Sequence, residues 1–85
     1  MPKSQFSDGY KVFIKVMIAA RKEAGLTQVE LGQRIGRKQT HISIIETGVR
    51  RIDLIEFCAL AKAMGYDPNT LFARVVAVLP EELEV

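Results

Sequence analysis

Apolar residues recur every three or four positions along most of the chain, which is the spacing of helices with one buried face. The pattern predicts five helices and no strand. They cover about residues 8–24, a segment from 27 to 36, residues 39–47, a segment after Asp53, and residues 68–79. The predicted inward positions of the first four helices are Tyr10, Phe13, Ile14, Met17, Ala24, Leu31, Ile35, Ile42, Ile45, Phe57, Leu60, Ala61 and Met64.

The predicted helix ends carry start and stop signals. The string T-x-x-E at 27–30 is a capping box, in which each side chain bonds the other residue's backbone N–H. The string D-x-x-E at 53–56 predicts a second one, and Asp-Pro at 67–68 is typical of a helix start. Glycines, which favour left-handed caps, follow four of the helices: Gly25, Gly36, Gly48 and Gly65.

Residues 27–48, TQVELGQRIGRKQTHISIIETG, predict two short helices joined by a tight corner. Gly32 lies inside the first, where glycine costs roughly 1 kcal/mol relative to alanine. We therefore expect another helix to cross there too closely for a larger side chain. The second helix is polar opposite Ile42 and Ile45, as a helix that enters the major groove of DNA must be. A plain helical hairpin is the alternative interpretation.

The strings LTQVELGQRIG, QTHISIIETG and RRIDLIEFCALAKAMGYDP resemble the Cro/C1-type (XRE-like) helix-turn-helix DNA-binding domain of phage repressors and small controller proteins. The resemblance covers about residues 10–71. It implies an all-α, compact five-helix, lambda-repressor-like domain that binds double-stranded DNA, usually as a dimer. Residues 1–85 are thus expected to form one such domain, with an acidic tail at 80–85.

The resemblance also implies particular DNA contacts. Gln28 would bind phosphate and brace Gln39, whose amide can pair with adenine. Ile44 stands where relatives often have a polar residue, so it either packs on a thymine methyl group or touches a neighbouring helix. We expect His41 to meet phosphate or solvent rather than a base. The expected DNA-binding residues are Gln28, Arg37, Lys38, Gln39, Thr40, His41, Ser43, Ile44, Thr47, Arg50 and Arg51.

The resemblance also implies an ion pair between the first and third helices. It joins Arg21 to Glu46. Because a buried charge is costly unless it is paired, this pair would be structural and would hold the third helix against the first.

Charge is distributed unevenly, although the net charge is only +2. Residues 34–51 carry five basic side chains against one acidic, whereas residues 52–85 carry two basic against six acidic. Such a chain can place one face on phosphate and turn the other away, although a solvated basic loop would look the same. The two arginines that follow the third helix are the expected phosphate contacts in this basic segment.

The last predicted helix is more apolar than one small core requires, and a helix apolar nearly all round is buried on more than one side. We expect one face to close the domain and the other to meet a second subunit. A helix buried wholly inside a monomer is the alternative. The expected interface residues are Leu71, Phe72, Val75, Val76, Val78 and Leu79.

No catalytic set, metal-ligand spacing or phosphate-binding glycine loop is present, so we expect neither an enzyme nor a cofactor or small-molecule ligand. The lone Cys58 lies at core spacing and is expected to be an inert apolar residue. The start of the chain lacks the apolar run of a signal peptide, and no run is long enough to span a membrane. These features predict a cytoplasmic protein, and the resemblance implies a bacterial or phage origin.

The function predicted from these observations is sequence-specific transcription regulation. The expected form is a repressor that binds a palindromic operator as a homodimer. The alternative is an antitoxin that binds a toxin through its C-terminal region and regulates its own operon.

Overall fold

The computed structural model describes residues 7–84, and within them it contains five α-helices and no strand. The helices are α1 (Asp8–Glu23), α2 (Gln28–Arg34), α3 (Gln39–Glu46), α4 (Leu54–Ala63) and α5 (Pro68–Val78). The predicted all-α, five-helix fold is therefore confirmed. Residues 1–6 and Val85, which the predicted domain and tail include, lie outside the described residues. Between residues 7 and 84, no helix is long and apolar enough to cross a membrane.

Local side-chain bonds explain where α2 and α4 begin. Thr27 Oγ1 accepts from Glu30 N at 3.1 Å, and Glu30 Oε1 accepts from Thr27 N at 2.9 Å, which completes a capping box. At α4, Asp53 Oδ1 accepts from Glu56 N at 2.7 Å, but the Glu56 carboxylate binds Arg50 instead of returning to the cap. The second predicted capping box is thus only half formed, because a guanidinium is a stronger partner for a carboxylate than a backbone N–H.

Two clusters of buried side chains hold the helices together. The smaller one joins Tyr10 and Ile14 of α1 to Ile45 of α3. The larger one draws on all five helices and consists of Met17, Ala20, Leu26, Leu31, Ile42, Phe57, Leu60, Ala61, Met64 and Leu71. Two of these, Ala20 and Leu26, are absent from the predicted inward set, since one is small and the other lies in the α1–α2 turn.

The turn between α2 and α3 passes directly over Gly32. A Cβ atom there would lie 2.7 Å from Arg37 O and 3.2 Å from Lys38 O. The close neighbour is therefore the backbone of the corner and not a crossing helix, which corrects the sequence-based explanation. Gly36 has a φ of 71°, the left-handed conformation that lets the chain reverse there.

α5 closes the core with one face and exposes another. Leu71 and Val75 are buried within the same chain, so the prediction that they meet a second subunit is wrong. Phe72 and Val76 are exposed, and they share a face because residues four apart are neighbours on a helix surface. Val78 is also exposed but lies on another side, since each residue turns about 100° around the axis.

Candidate nucleic-acid interface

α3 has one side in the core and the other in solvent. Ile42 and Ile45 are 1% and 2% exposed, and they anchor the helix in the two core clusters. The first turn contains no acidic residue, which favours approach of a polyanion to this end of the helix. The exposed side chains of α3 and its C-cap residue are Gln39, Thr40, Ile44 and Thr47, and His41 and Ser43 are half-buried.

The amide at the start of α3 is held by a neighbour on α2. Gln39 Nε2 donates to Gln28 Oε1 at 2.6 Å. Gln28 Nε2 in turn donates to Glu46 Oε1 at 2.9 Å, and this bond was not anticipated from the sequence. The brace on Gln39 and the Arg21–Glu46 pair are therefore one connected network, which we call the amide relay.

The far end of the amide relay is an ion pair between α1 and the last residue of α3. Arg21 Nε donates to Glu46 Oε2 at 2.7 Å, and Nη2 donates to Oε1 at 3.0 Å. The remaining Arg21 nitrogen, Nη1, donates to Leu26 O at 2.8 Å. The two side chains are only 11% and 9% exposed, so the two-point pairing offsets the cost of removing their charges from water.

A second charged cluster centres on Glu56 in the first turn of α4. Its carboxylate accepts from Arg50 Nη1 at 2.8 and 2.9 Å, and Oε2 lies 2.9 Å from His41 Nε2. Burial by itself would raise the pKa of the Glu56 carboxyl, but the hydrogen bonds from Arg50 and His41 outweigh it and lower the pKa. Sequence analysis missed this cluster because it assigned Glu56 to a helix cap.

The loop after α3 is anchored to α1 by Tyr10. The Tyr10 hydroxyl donates to Arg50 O at 3.4 Å and accepts from Ile52 N at 3.1 Å. Desolvation, the largest influence on this phenol, raises its pKa. The Arg51 guanidinium lies 4.3 Å from the centre of the Tyr10 ring, within the range of a cation–π contact. The two arginines that were expected to bind phosphate are thus oriented by different neighbours.

The α2–α3 corner adds two exposed cations beside α3. Arg37 Nη1 donates to Gly36 O at 3.4 Å, a long bond within the corner itself. Lys38 is the N-cap residue of α3, and its side chain makes no capping hydrogen bond. Both side chains are exposed and stand next to Gln39 in the sequence. The structure therefore places positive charge at the end of α3 where the exposed amide lies.

Among residues 7–84, no group of three or more His, Cys, Asp or Glu side chains is placed to hold a metal ion. Cys58 is half-buried against the larger core cluster.

Comparison with known proteins agrees with this geometry. Residues 17–71 match the family model described as Helix-turn-helix. The fold is also similar to that of an XRE-family like protein from Pseudomonas syringae pv. tomato, with a TM-score of 0.79 and 37% sequence identity. The similarity covers 86% of this chain and 89% of that one. A search of curated proteins found no match.

The family match spans more than half of the chain, and the solved relative shares the fold over 86% of the chain. The chain therefore belongs to the XRE-type helix-turn-helix family, and it is a DNA-binding transcriptional regulator rather than an enzyme.

Proposed function

We propose that this regulator is a repressor that binds a palindromic operator as a homodimer and reads base edges with the exposed side of α3. The observation that carries the proposal is the position of Gln39, which is exposed at the start of α3 and braced by Gln28 at 2.6 Å. A braced, outward amide beside two exposed cations is suited to reading a base next to the phosphate backbone. The bacterial relative supports a cytoplasmic regulator of bacterial or phage origin.

Base reading is assigned to exposed or half-buried residues on the outer side of the first two turns of α3. A glutamine amide has two N–H donors and one oxygen, and one donor of Gln39 is used by Gln28. The other N–H and the oxygen remain for adenine N7 and N6. Ile44 is 39% exposed, and we assign it to a thymine methyl group. Thr40 and Ser43 complete the base-reading set.

Phosphate contacts are assigned to polar and basic side chains around α3. His41 is left out of the base-reading set because its Nε2 is bonded to Glu56, and it is assigned to a phosphate of the DNA backbone. The phosphate-contacting residues of the proposal are Gln28, Arg37, Lys38, His41, Thr47, Arg50 and Arg51.

The proposed subunit contact uses the outer face of α5. Arg74 is the one charged residue of α5, and its guanidinium turns to Glu23 on α1, at 3.0 and 3.1 Å. The face with Phe72 and Val76 is therefore uncharged. A groove of about 370 Å³ extends this apolar surface, and it is lined in part by Leu54, Phe72, Leu79 and Leu83. Exposed apolar surface of this kind is typical of a protein–protein contact.

Selection of bound duplexes from a random library tests the proposal. We expect an inverted repeat whose half-site centres are about 34 Å, or one helical turn, apart. Gln39→Ala should relax the preference at one base pair of each half-site. Lys62→Ala, the control, truncates an exposed side chain near the end of α4 and should leave the preference unchanged. Enrichment of sequences without an inverted repeat would contradict the palindrome, and no enrichment at low salt would contradict base reading.

A reporter gene placed behind the selected operator separates repression from activation. We expect the regulator to lower expression when the operator overlaps the promoter, because the regulator and the polymerase then compete for the same DNA. A rise in expression that depends on the operator would reject the repressor assignment while leaving the DNA-binding assignment in place.

A further inference from the structure

One carboxylate oxygen connects the α1–α3 ion pair to the exposed amide. Glu46 Oε1 accepts from Arg21 Nη2 at 3.0 Å and from Gln28 Nε2 at 2.9 Å. Because Arg21 also donates to Oε2 through Nε, two hydrogen bonds hold the plane of the carboxylate. The position from which Oε1 faces Gln28 is therefore set by α1.

The Gln28 amide has one orientation that satisfies both of its neighbours. An ionised carboxylate accepts hydrogen bonds and cannot donate them, so the amide group that faces Glu46 must be the NH2. The Gln28 oxygen then faces α3 and accepts from Gln39 Nε2. A flipped amide would place oxygen against oxygen at Glu46 and N–H against N–H at Gln39, and both arrangements are repulsive.

We propose that Glu46 is a positioning residue for base recognition, which acts through Gln28 to lock the orientation of the Gln39 amide. This inference rests on the proposed role of Gln39 as a base reader. A locked amide offers its donor and acceptor in one order, as adenine requires. An amide that can turn over discriminates less between adenine and guanine, because guanine presents two acceptors, N7 and O6, at the same edge.

The test compares Glu46→Ala with Arg21→Ala. Both variants break the ion pair, but only Glu46→Ala removes the acceptor that orients Gln28. The probes are the duplex operator selected with the wild-type chain and its variant with G·C in place of A·T at the base pair that Gln39→Ala identifies. Affinities are measured below the melting temperature of each variant, with folding checked by circular dichroism.

We expect Glu46→Ala to reduce the affinity ratio of the two probes by at least about fivefold, the lower end of what one bidentate base contact contributes. Arg21→Ala keeps this acceptor but releases it from α1, so its ratio should fall by less than that of Glu46→Ala. Equal losses in the two variants, or an unchanged ratio in folded Glu46→Ala, would overturn the proposal.

Gln28→Leu provides a second variant, which removes one hydrogen bond to Glu46 but leaves both members of the Arg21–Glu46 ion pair in place. It interrupts the amide relay beyond Glu46, so we expect the same loss of discrimination with little change in Tm. Retained discrimination in this variant would also overturn the proposal. If Gln39→Ala alters no base preference, the base-reading role and the relay fail together. If Gln39→Ala relaxes the preference and Glu46→Ala does not, only the relay fails.

Discussion

Arg50 and Arg51 are adjacent in the sequence, yet their guanidinium groups have different surroundings. Arg50 binds the Glu56 carboxylate through Nη1, whereas Arg51 lies over the Tyr10 ring. A guanidinium has five N–H donors, so the Arg50 pair with Glu56 leaves Nη2 and Nε able to address a phosphate. At the residue scale, the structure therefore distinguishes two side chains that the sequence treated alike.

Substitution of these arginines should reveal that difference. We expect Arg50→Ala and Arg51→Ala each to flatten the log–log salt dependence of DNA binding by about 1, with all sequences weakened alike. Arg50→Ala should cost more affinity, because it also leaves the Glu56 carboxylate unneutralised beside DNA. Titrations at several salt concentrations measure both effects, with Lys62→Ala as the control. A slope equal to that of the control would rule out a phosphate contact for that arginine.

Glu56 should make the stability of the fold sensitive to acid. Its pKa is lower in the folded chain than the ordinary value of 4.5, so its ionised form stabilises the fold above that value. The contribution is lost as the pH falls through the folded pKa. We expect wild type and Glu56→Gln to differ in unfolding free energy most near about pH 7, and much less near about pH 3.

Urea unfolding of both proteins at the two pH values measures the effect of Glu56. Glu82→Gln in the exposed tail is the matched control and should behave as the wild type does at both. A difference between wild type and Glu56→Gln that is independent of pH would show that the carboxylate charge does not stabilise the fold.

At the element scale, the corner between α2 and α3 depends on the absence of a side chain at Gly32. Alanine has a helix propensity about 1 kcal/mol better than that of glycine. The added Cβ would nevertheless lie 2.7 Å from Arg37 O, a backbone atom that cannot move without moving the corner. Steric overlap should therefore outweigh propensity, and the position of α3 against α2 should change.

We expect Gly32→Ala to lower the free energy of unfolding by roughly 1–3 kcal/mol, the usual cost of forcing extra atoms into a packed site. Its DNA affinity should also fall, because α3 is displaced. Thermal melts and DNA titrations measure the two effects. Gln33→Ala, at the next and exposed position, is the control, and its stability should stay within about 0.5 kcal/mol of the wild type. A Gly32→Ala variant as stable as Gln33→Ala would contradict the close contact.

At the scale of the whole molecule, one side of α5 is buried and another is exposed to solvent. Leu71 and Val75 complete the core, while the face with Phe72 and Val76 has no partner within residues 7–84 that buries it. The proposed homodimer would bury that face. It would also set the distance between the two copies of α3, and that distance determines the spacing of the operator half-sites.

A charge on the outer face should therefore dissociate the dimer. Val76 and Val78 are both 51% exposed but lie on different sides of α5, so they form a matched pair. We expect Val76→Glu to be a folded monomer with weakened operator binding, and Val78→Glu to remain dimeric. Sedimentation equilibrium at micromolar concentration measures the masses. A monomeric wild type, or equal behaviour of the two variants, would contradict the proposed interface.

Most of the helical framework could be predicted from the sequence because its signals are local. The Thr27–Glu30 capping box forms between residues three apart, and the positive φ of Gly36 is a property of that residue alone. The burial of Ile42 and Ile45 follows from helical periodicity. These features need no knowledge of which helices meet, so the five helices and the exposed side of α3 were determined by the sequence itself.

The tertiary structure alone decided which polar groups meet and which apolar faces are covered. Gln28 and Glu46 are 18 residues apart, and His41 and Glu56 are 15 apart, so their contacts exist only once the helices have packed. Likewise, no periodicity could tell that Leu71 is buried while its neighbour Phe72 remains exposed, because α5 is apolar nearly all round. A local pattern specifies an element, whereas the relative placement of elements specifies the network that orients Gln39.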